Sequence, residues 1–255
     1  MKHLLTLLLL AAAARAGTIT QVAAVLHDVS KSSETIVISG GIATGHGVIV
    51  IGEIDKTSTN CSSPGCKLVV SDSRGNTYTQ VAALDNVSMN VDQMLVVGYI
   101  GNALSAGDTV TVNFRKQDST AISGALYVFL YDVSPITPAN YVVSAASNRG
   151  YSATPTAGTL TASGPNLVFA FWDHASLNTL YSAPGSGFTT ITNTNDGGGG
   201  FASAQFREAQ SGSITPGETL TGTVNWYGLS VALQEYPAIG VAEGASIGGG
   251  ARIEP

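Results

Sequence analysis

Short stretches of alternating apolar and polar residues recur along most of the chain, and this pattern constrains the fold more than any other feature. Glycine, proline, asparagine and aspartate interrupt the stretches. A period of two places apolar side chains on one face of an extended strand. The predicted strands are residues 35–39, 47–53, 67–71, 76–82, 94–100, 109–114, 125–132, 141–145, 166–172, 188–192, 202–207, 220–224 and 229–234. No sustained helical periodicity is present, so the sequence predicts an all-β protein.

The strands that follow Pro135 and Pro138 repeat the order of the strands that precede them. Four blocks match in order: residues 47–53 with 166–172, 75–81 with 185–191, 105–111 with 215–221, and 126–132 with 229–235. Chance likeness between β segments is the alternative explanation, and four matches in one order count against it. We therefore predict two tandem, internally related antiparallel β-sandwich units of the jelly-roll or immunoglobulin-like kind, residues 17–134 and 135–237.

Two of these blocks carry the most distinctive turn-and-strand motifs. They are residues 70–79 (VSDSRGNTYT) and 105–112 (SAGDTVTV), and the paired closing strands accompany them. Together they resemble the tandem sandwich domains of uncharacterised secreted bacterial proteins. The resemblance implies a sandwich fold and an extracellular setting, and it transfers no catalytic residues.

The two ends of the chain differ from its middle. Residues 1–16 combine a charged start, an apolar run and a small-x-small site at residues 14–16, which predicts a secretory signal peptide. A buried N-terminal helix is the alternative. The apolar run, residues 4–14, is shorter than the roughly 20 residues that cross a bilayer, so we predict a secreted protein without a membrane span. Residues 238–255 are rich in glycine and predict a flexible tail.

The two cysteines lie close together in residues 60–66 (NCSSPGC). A Pro-Gly turn brings the flanking residues together, and an exported protein meets an oxidising compartment. We therefore predict a disulfide between Cys61 and Cys66.

Charge excludes one class of partner. The formal net charge is −6, and only 11% of the residues are charged. An acidic surface repels phosphate backbones, so we predict no nucleic-acid binding. The polar surface instead consists mainly of hydroxyl and amide groups.

The search for catalytic or metal-binding groups finds few candidates. No Gly-x-Ser-x-Gly motif is present. Asp173 and His174 end one apolar strand and Glu53 and Asp55 end another, so both pairs are candidate acid/base or metal-binding groups, with solvated strand ends as the alternative. Residues 71–76 have calcium-loop residue types without EF-hand spacing, and a hairpin turn is the simpler explanation. Residues 193–200 predict a mobile loop, with a cation site as the alternative. We predict no cofactor, with calcium as the alternative.

Four aromatic residues in the second half form a candidate platform for a sugar ring. They are Trp172, Tyr181, Trp226 and Tyr227. Aromatic faces flanked by amides are typical of carbohydrate sites, whereas aromatic residues in sandwiches also commonly fill the core.

Three functions are compatible with this sequence. The first is a non-catalytic structural or adhesive protein of a cell surface, filament or extracellular matrix, which self-associates by adding residues 17–26 or the tail to an exposed sheet edge. The second is a carbohydrate-binding module that binds a polysaccharide. The third is a glycan-degrading enzyme that uses Glu53 and Asp55, or Asp173.

Overall fold

The computed structural model describes residues 17–56, 66–86, 91–134, 136, 141–164, 166–175, 181–195, 201–209 and 211–235. Its first half contains eight strands: β1 (Thr18–Lys31), β2 (Ser33–Val37), β3 (Gly47–Lys56), β4 (Lys67–Asp72), β5 (Thr77–Asn86), β6 (Val91–Tyr99), β7 (Thr109–Arg115) and β8 (Gly124–Ser134). Nine follow: β9 (Val142–Ser152), β10 (Leu160–Ala162), β11 (Asn166–His174), β12 (Tyr181–Pro184), β13 (Thr189–Asn195), β14 (Phe201–Ala209), β15 (Gly212–Ile214), β16 (Glu218–Leu220) and β17 (Val224–Gln234). The prediction of an all-β protein is confirmed. The predicted signal peptide and tail lie outside the described residues.

Two open five-stranded antiparallel sheets form the centre of the molecule. The first central sheet has the order β1-β8-β3-β6-β5, and the second has the order β9-β17-β11-β14-β13. Strands at equivalent positions in the two sheets also come in the same order along the chain: β1 corresponds to β9, β3 to β11, β5 to β13, β6 to β14 and β8 to β17. In both sheets a strand from the middle of the half pairs with the closing strand of that half, β3 with β8 and β11 with β17.

The outer layers of the two halves differ. A three-stranded sheet, β2-β7-β4, covers the first central sheet, whereas two separate ladders, β10-β15 and β12-β16, lie in the second half. In β7 the burial alternates strictly, with threonines outward and Val110, Val112 and Phe114 inward. This is the pattern of a strand that covers a core on one face.

Both faces of each central sheet are buried. We call the cluster that contains Val50, Phe114 and Val128 the first outer core, and it lies between the first central sheet and its outer sheet. The shared core contains residues of both central sheets and lies between them. Its aromatic contacts join the halves directly: the ring centroids are 5.0 Å apart for Phe129 and Phe171, and 4.9 Å apart for Tyr131 and Phe169.

The face of the second central sheet that points away from the shared core has two smaller clusters, which we call together the second outer core. One contains Leu160, Val168 and Ala232, and the other joins Trp172 to Trp226. Along the sides, β5 contacts β9 and β1 contacts β13. The central sheets therefore lie face to face with their strand orders running in opposite directions.

The structure corrects the register of two of the four matched blocks. Aligning residues 47–53 with 166–172 sets Val48 opposite Leu167, yet Val48 lies in the first outer core and Leu167 in the shared core. Leu126 and Leu229 differ in the same way. A slip of one residue exchanges the two faces of a strand. Because both faces of these strands are apolar, the sequence pattern does not fix the face.

Five strands were not predicted, namely β1, β10, β12, β15 and β16, and β1 is the longest of them. Its pairing with β8 shifts register between Gln21 and Ala23, and again between His27 and Lys31. A β-bulge breaks the period of two, so residues 18–31 do not show the alternation that marks a strand. The predicted strand at 220–224 is also wrong, because β16 ends at Leu220 and β17 begins at Val224.

Candidate functional site

An open cleft lies where the edge of the first central sheet meets the start of β9. Its volume is about 470 Å³, within the range of about 300–1,000 Å³ that is typical of small-molecule sites. We call it the tyrosine cleft. It is lined by Gly75, Asn76, Thr77, Thr79, Tyr99, Gly101, Asn102 and Tyr141.

Strand geometry brings the two tyrosines to this place. Tyr99 ends β6 and pairs with Thr77, the first residue of β5. Tyr141 directly precedes β9 and comes from the other half of the chain. The two ring centroids are 6.5 Å apart with an interplanar angle of 31°. Both rings are half-buried and pack against the shared core, so each is supported from behind while it lines the cleft.

The hydroxyl of Tyr141 ties the two halves together. It donates a hydrogen bond to the carbonyl oxygen of Val97 on β6, at 3.3 Å. Burial raises the pKa of Tyr141 above its ordinary value, so the hydroxyl stays protonated at neutral pH. The position of this ring therefore depends on a contact between the second half of the chain and the first central sheet.

A network of hydrogen bonds fixes the loop that forms the rim of the cleft. The side-chain Oδ1 of Asn76 accepts from the backbone N of Asn102 at 2.8 Å, and its Nδ2 donates to the carbonyl of Asn102 at 2.9 Å. Asp72 accepts from the backbone N of Arg74 at 2.8 Å and from the hydroxyl of Tyr78 at 2.7 Å. Gly75 has φ +73°, which glycine adopts without steric cost. These hydrogen bonds thus stabilise the rim in this conformation.

The hydrogen bonds of this loop also set its charge. Partial burial would raise the pKa of Asp72, but the hydrogen bonds from Tyr78, Asn76 and Arg74 outweigh it and hold that pKa below its ordinary value. The pKa of Tyr78 is raised, first by burial and then by Asp72. Among the described residues that line the cleft there is no carboxylate and no basic side chain. Its polar groups are therefore neutral hydroxyls and amides.

The aromatic platform predicted from the sequence is wrong, because three of its four rings are core residues. The exposed fraction is 0% for Trp172, 5% for Trp226 and 2% for Tyr227. Trp226 donates from Nε1 to the hydroxyl of Ser152 at 3.0 Å. The fourth ring, Tyr181, is partly exposed at the start of β12 and its hydroxyl bonds to that of Thr190. The three buried rings cannot present a face to a ligand in solvent.

The predicted acid/base and metal candidates lie at the ends of β3 and β11. Glu53 and Asp173 are buried, and Glu53 accepts from Nε2 of Gln93 at 2.7 Å. Asp55 is exposed, and loss of part of its hydration raises its pKa. Within the described ranges, no group of three or more His, Cys, Asp and Glu side chains is arranged to hold a metal ion.

His174 belongs to a buried network that the sequence did not reveal. Its Nδ1 donates to the carbonyl of Phe201 at 2.7 Å, its Nε2 bonds to Glu218, and Glu218 also accepts from the hydroxyl of Ser203 at 2.6 Å. Burial opposes the charged form of His174, but the hydrogen bond and charge of Glu218, followed by the charge of Asp173, raise its pKa. Glu218 separates Ser203 from the imidazole, so this is not the order of a serine triad. The network anchors β16 to the second central sheet.

The other predicted sites fall partly outside the described residues. Cys66 is fully buried just before β4, but Cys61 is not described, so the disulfide stays a prediction. In the candidate calcium-type loop 71–76, the oxygens of Asp72 accept hydrogen bonds from Arg74 and Asn76 of the loop and from the hydroxyl of Tyr78. Of residues 193–200, the first three belong to β13 and the rest are not described.

Comparison with known proteins gives no relative. No family model, no curated protein and no solved structure matches the chain. No helix in the described ranges is long and apolar enough to cross a membrane.

Proposed function

We propose that this chain is a secreted, non-catalytic adhesive protein that binds a neutral carbohydrate in the tyrosine cleft. The observation that carries the proposal is the pair of supported tyrosine rings, Tyr99 and Tyr141, beside hydroxyl and amide groups in one open cleft. A sugar ring has apolar C–H faces and a rim of hydroxyls, so it needs an aromatic surface together with neutral hydrogen-bonding groups.

The charge of the cleft supports a neutral sugar over an ionic ligand. A phosphate or carboxylate would need a basic partner, and the lining residues that the structure describes include none. The net charge of −6 also disfavours polyanions. A cation would need oxygen ligands with charge, and the nearest carboxylate in the rim network, Asp72, already accepts four hydrogen bonds.

The proposal includes a division of the chain into two related sandwich units, residues 17–134 and 135–237. The identical strand order of the central sheets supports it. So does the matching turn in which Gly107 and Gly217 precede an acidic residue and a threonine. In this division the cleft lies between the units, because Tyr141 comes from the second unit and the other seven lining residues from the first.

The test is affinity electrophoresis of the wild-type chain and variants through gels that contain neutral polysaccharides, namely glucans, mannans, galactans and xylans. We expect at least one polysaccharide to retard the wild-type chain and Tyr99→Ala to abolish at least nine-tenths of that retardation. Tyr99→Phe keeps the ring and is expected to retain most of it. Tyr151→Ala is the matched control, since Tyr151 is 68% exposed on β9 and does not line the cleft.

Circular dichroism of each variant separates loss of binding from loss of fold. Retardation by no neutral polysaccharide would contradict the proposal, and so would equal retardation of the wild-type chain and a folded Tyr99→Ala variant. A Tyr151→Ala variant that loses binding as fully as Tyr99→Ala would place the site elsewhere on the molecule.

A further inference from the structure

β1 occupies an unusual position among the strands of the molecule. Among the described strands it is the longest, with 14 residues, and as an edge strand of the first central sheet it pairs with β8 alone. Ile19 enters the shared core, while Val22, Ala23 and Val25 pack against the first outer core. The strand thus completes two cores, although no other strand of its sheet depends on it for pairing.

The connection from β1 to the rest of the chain is very short. One residue, Ser32, separates β1 from β2, and β2 belongs to the outer sheet. The backbone N of Phe114 donates to the carbonyl of Ser32 at 2.9 Å, which holds this corner in place. The pairing with β8 is irregular between His27 and Lys31. Short hinges between exchangeable elements favour exchange between molecules over closure within one.

The corresponding strand of the second half, β9, is held on both sides. Before it, Ile136 bridges to Glu235, and the backbone N of Gln234 donates to the carbonyl of Tyr141 at 2.7 Å. After it, the chain continues into segments that bond to β16. No described element precedes β1. If β1 leaves β8, it gives up its contacts with β13, including the hydrogen bond from the hydroxyl of Thr192 to the side chain of Gln21, but no ladder between two other described strands is broken. β9, by contrast, is held by backbone hydrogen bonds on both sides.

We infer that β1 exchanges between copies of this chain, so that β1 of one molecule pairs with β8 of another. The occupant of the vacated edge is a second copy, because only β1 carries the sequence that matches β8 in register and fills both cores. The exchanged form keeps the pairing of β1 with β8 and the contacts of β1 with both cores, and only the hinge at Ser32 must change, which makes exchange a low-cost route to dimers or longer chains. The inference is independent of the sugar site, but linked copies would present several clefts to one polysaccharide and raise avidity.

The first test adds a fluorescent peptide of residues 17–31 to the full wild-type chain. We expect the peptide to be incorporated slowly, and to co-migrate with the protein in size-exclusion chromatography. The matched control is the same peptide with Ile19→Asp and Val25→Asp, which places charge in the two cores and is expected to be incorporated at least tenfold less. Equal uptake of both peptides, or uptake of neither, contradicts exchange.

The second test uses engineered cross-strand disulfides. Thr18 and Ser134 are register partners of β1 and β8, and Tyr151 and Asn225 are partners of β9 and β17. After incubation at increasing protein concentration and then oxidation, we expect T18C/S134C to give covalent dimers or ladders in a growing fraction. Y151C/N225C is expected to stay monomeric, and the single variants T18C and S134C control for random pairing. If T18C/S134C gives only monomers at every concentration, the strand does not exchange.

Discussion

The outer layers of the two halves differ, which shows that two central sheets with the same strand order can be stabilised in two ways. In the first half a continuous three-stranded sheet buries Val110, Val112 and Phe114. In the second half the layer is broken into two short ladders, and its place is partly taken by Trp172 and Trp226 together with the His174–Glu218 pair. In the second half, where fewer strands cover the central sheet, large aromatic rings and a buried ion pair stabilise the covering layer.

One turn shows this difference at the level of single residues. Gly107-Asp108-Thr109 and Gly217-Glu218-Thr219 match in sequence. Asp108 bonds Nε of Arg74 at 2.8 Å and the hydroxyl of Ser73 at 2.9 Å in an exposed network. Glu218 is buried against His174 and Ser203. A longer side chain at one position thus reaches the central sheet, while the shorter one stays at the surface.

The largest effect that we expect comes from the indole pair. Trp226→Ala removes a side chain that is 5% exposed, and truncation of a buried tryptophan costs about 3–5 kcal/mol of the free energy of unfolding. Urea denaturation measures it. Because Trp226 lies in the second outer core, polysaccharide retardation of the folded variant should equal that of the wild-type chain. A stable variant that fails to bind would restore Trp226 as a ligand contact.

The next effect concerns the buried ion pair. Glu218→Gln leaves His174 without its charged partner, and breaking a buried pair in this way costs about 3–5 kcal/mol. The substitution leaves the packed pair Trp172 and Trp226 in place, so we expect a loss of stability at the lower end of this range. Asp108→Asn is the matched control at the equivalent turn, and its melting temperature is expected to stay close to that of the wild-type chain. Equal destabilisation by the two changes would remove the distinction between the halves.

A smaller effect is expected from replacing a buried glycine by alanine, and its size should differ between the two central sheets. A Cβ at Gly228 would lie 2.9 Å from the backbone Cα of Ala157, whereas a Cβ at Gly52 would meet the side chain of Leu68 at 2.6 Å. Side chains yield more readily than backbone, so Gly228→Ala should destabilise by more than Gly52→Ala, within the range of about 1–3 kcal/mol for overpacking. Thermal melts of both variants measure the two losses of stability. A larger loss for Gly52→Ala than for Gly228→Ala would contradict this expectation.

The smallest effect is a dependence of stability on pH. The pKa of His174 is raised in the folded protein, so its contribution to stability is complete below the unfolded pKa of about 6.5. That contribution is lost as pH rises through the folded value. The free energy of unfolding should therefore fall as pH rises from about 6.5 through the folded pKa, and Glu218→Gln should flatten this part of the profile. An unchanged slope in the variant would show that His174 is not its source.

Sequence alone predicted the fold class and most strands, because alternation and turn residues are local signals. It missed β1, where a bulge near Val22 interrupts the alternation, and it slipped the register of β3 and β11 because both faces of these strands are buried. It also left open whether Trp172 and Trp226 are exposed rings of a binding platform or core residues. Aromatic residues are equally suited to a core and to a binding surface, and only the packing of other strands decides between them.

The tyrosine cleft illustrates the same limit. Tyr99 and Tyr141 lie 42 positions apart in the printed sequence, and they meet only because β5 lies against β9 in the folded chain. Tyr99 reads as the end of an apolar strand and Tyr141 as the start of another. No local pattern connects them, so this site follows from the packing of the two central sheets.

The shared core contains residues of both halves, so we expect the two halves to unfold as one unit, and tryptophan fluorescence tests this directly. Both tryptophans, Trp172 and Trp226, lie in the second half, while Phe114 lies in the first outer core. Phe114→Ala should lower the urea midpoint of the tryptophan transition by as much as that of far-ultraviolet circular dichroism, with a loss of about 3–5 kcal/mol. A tryptophan transition that stays at the wild-type midpoint would show that the halves unfold separately and would contradict the account.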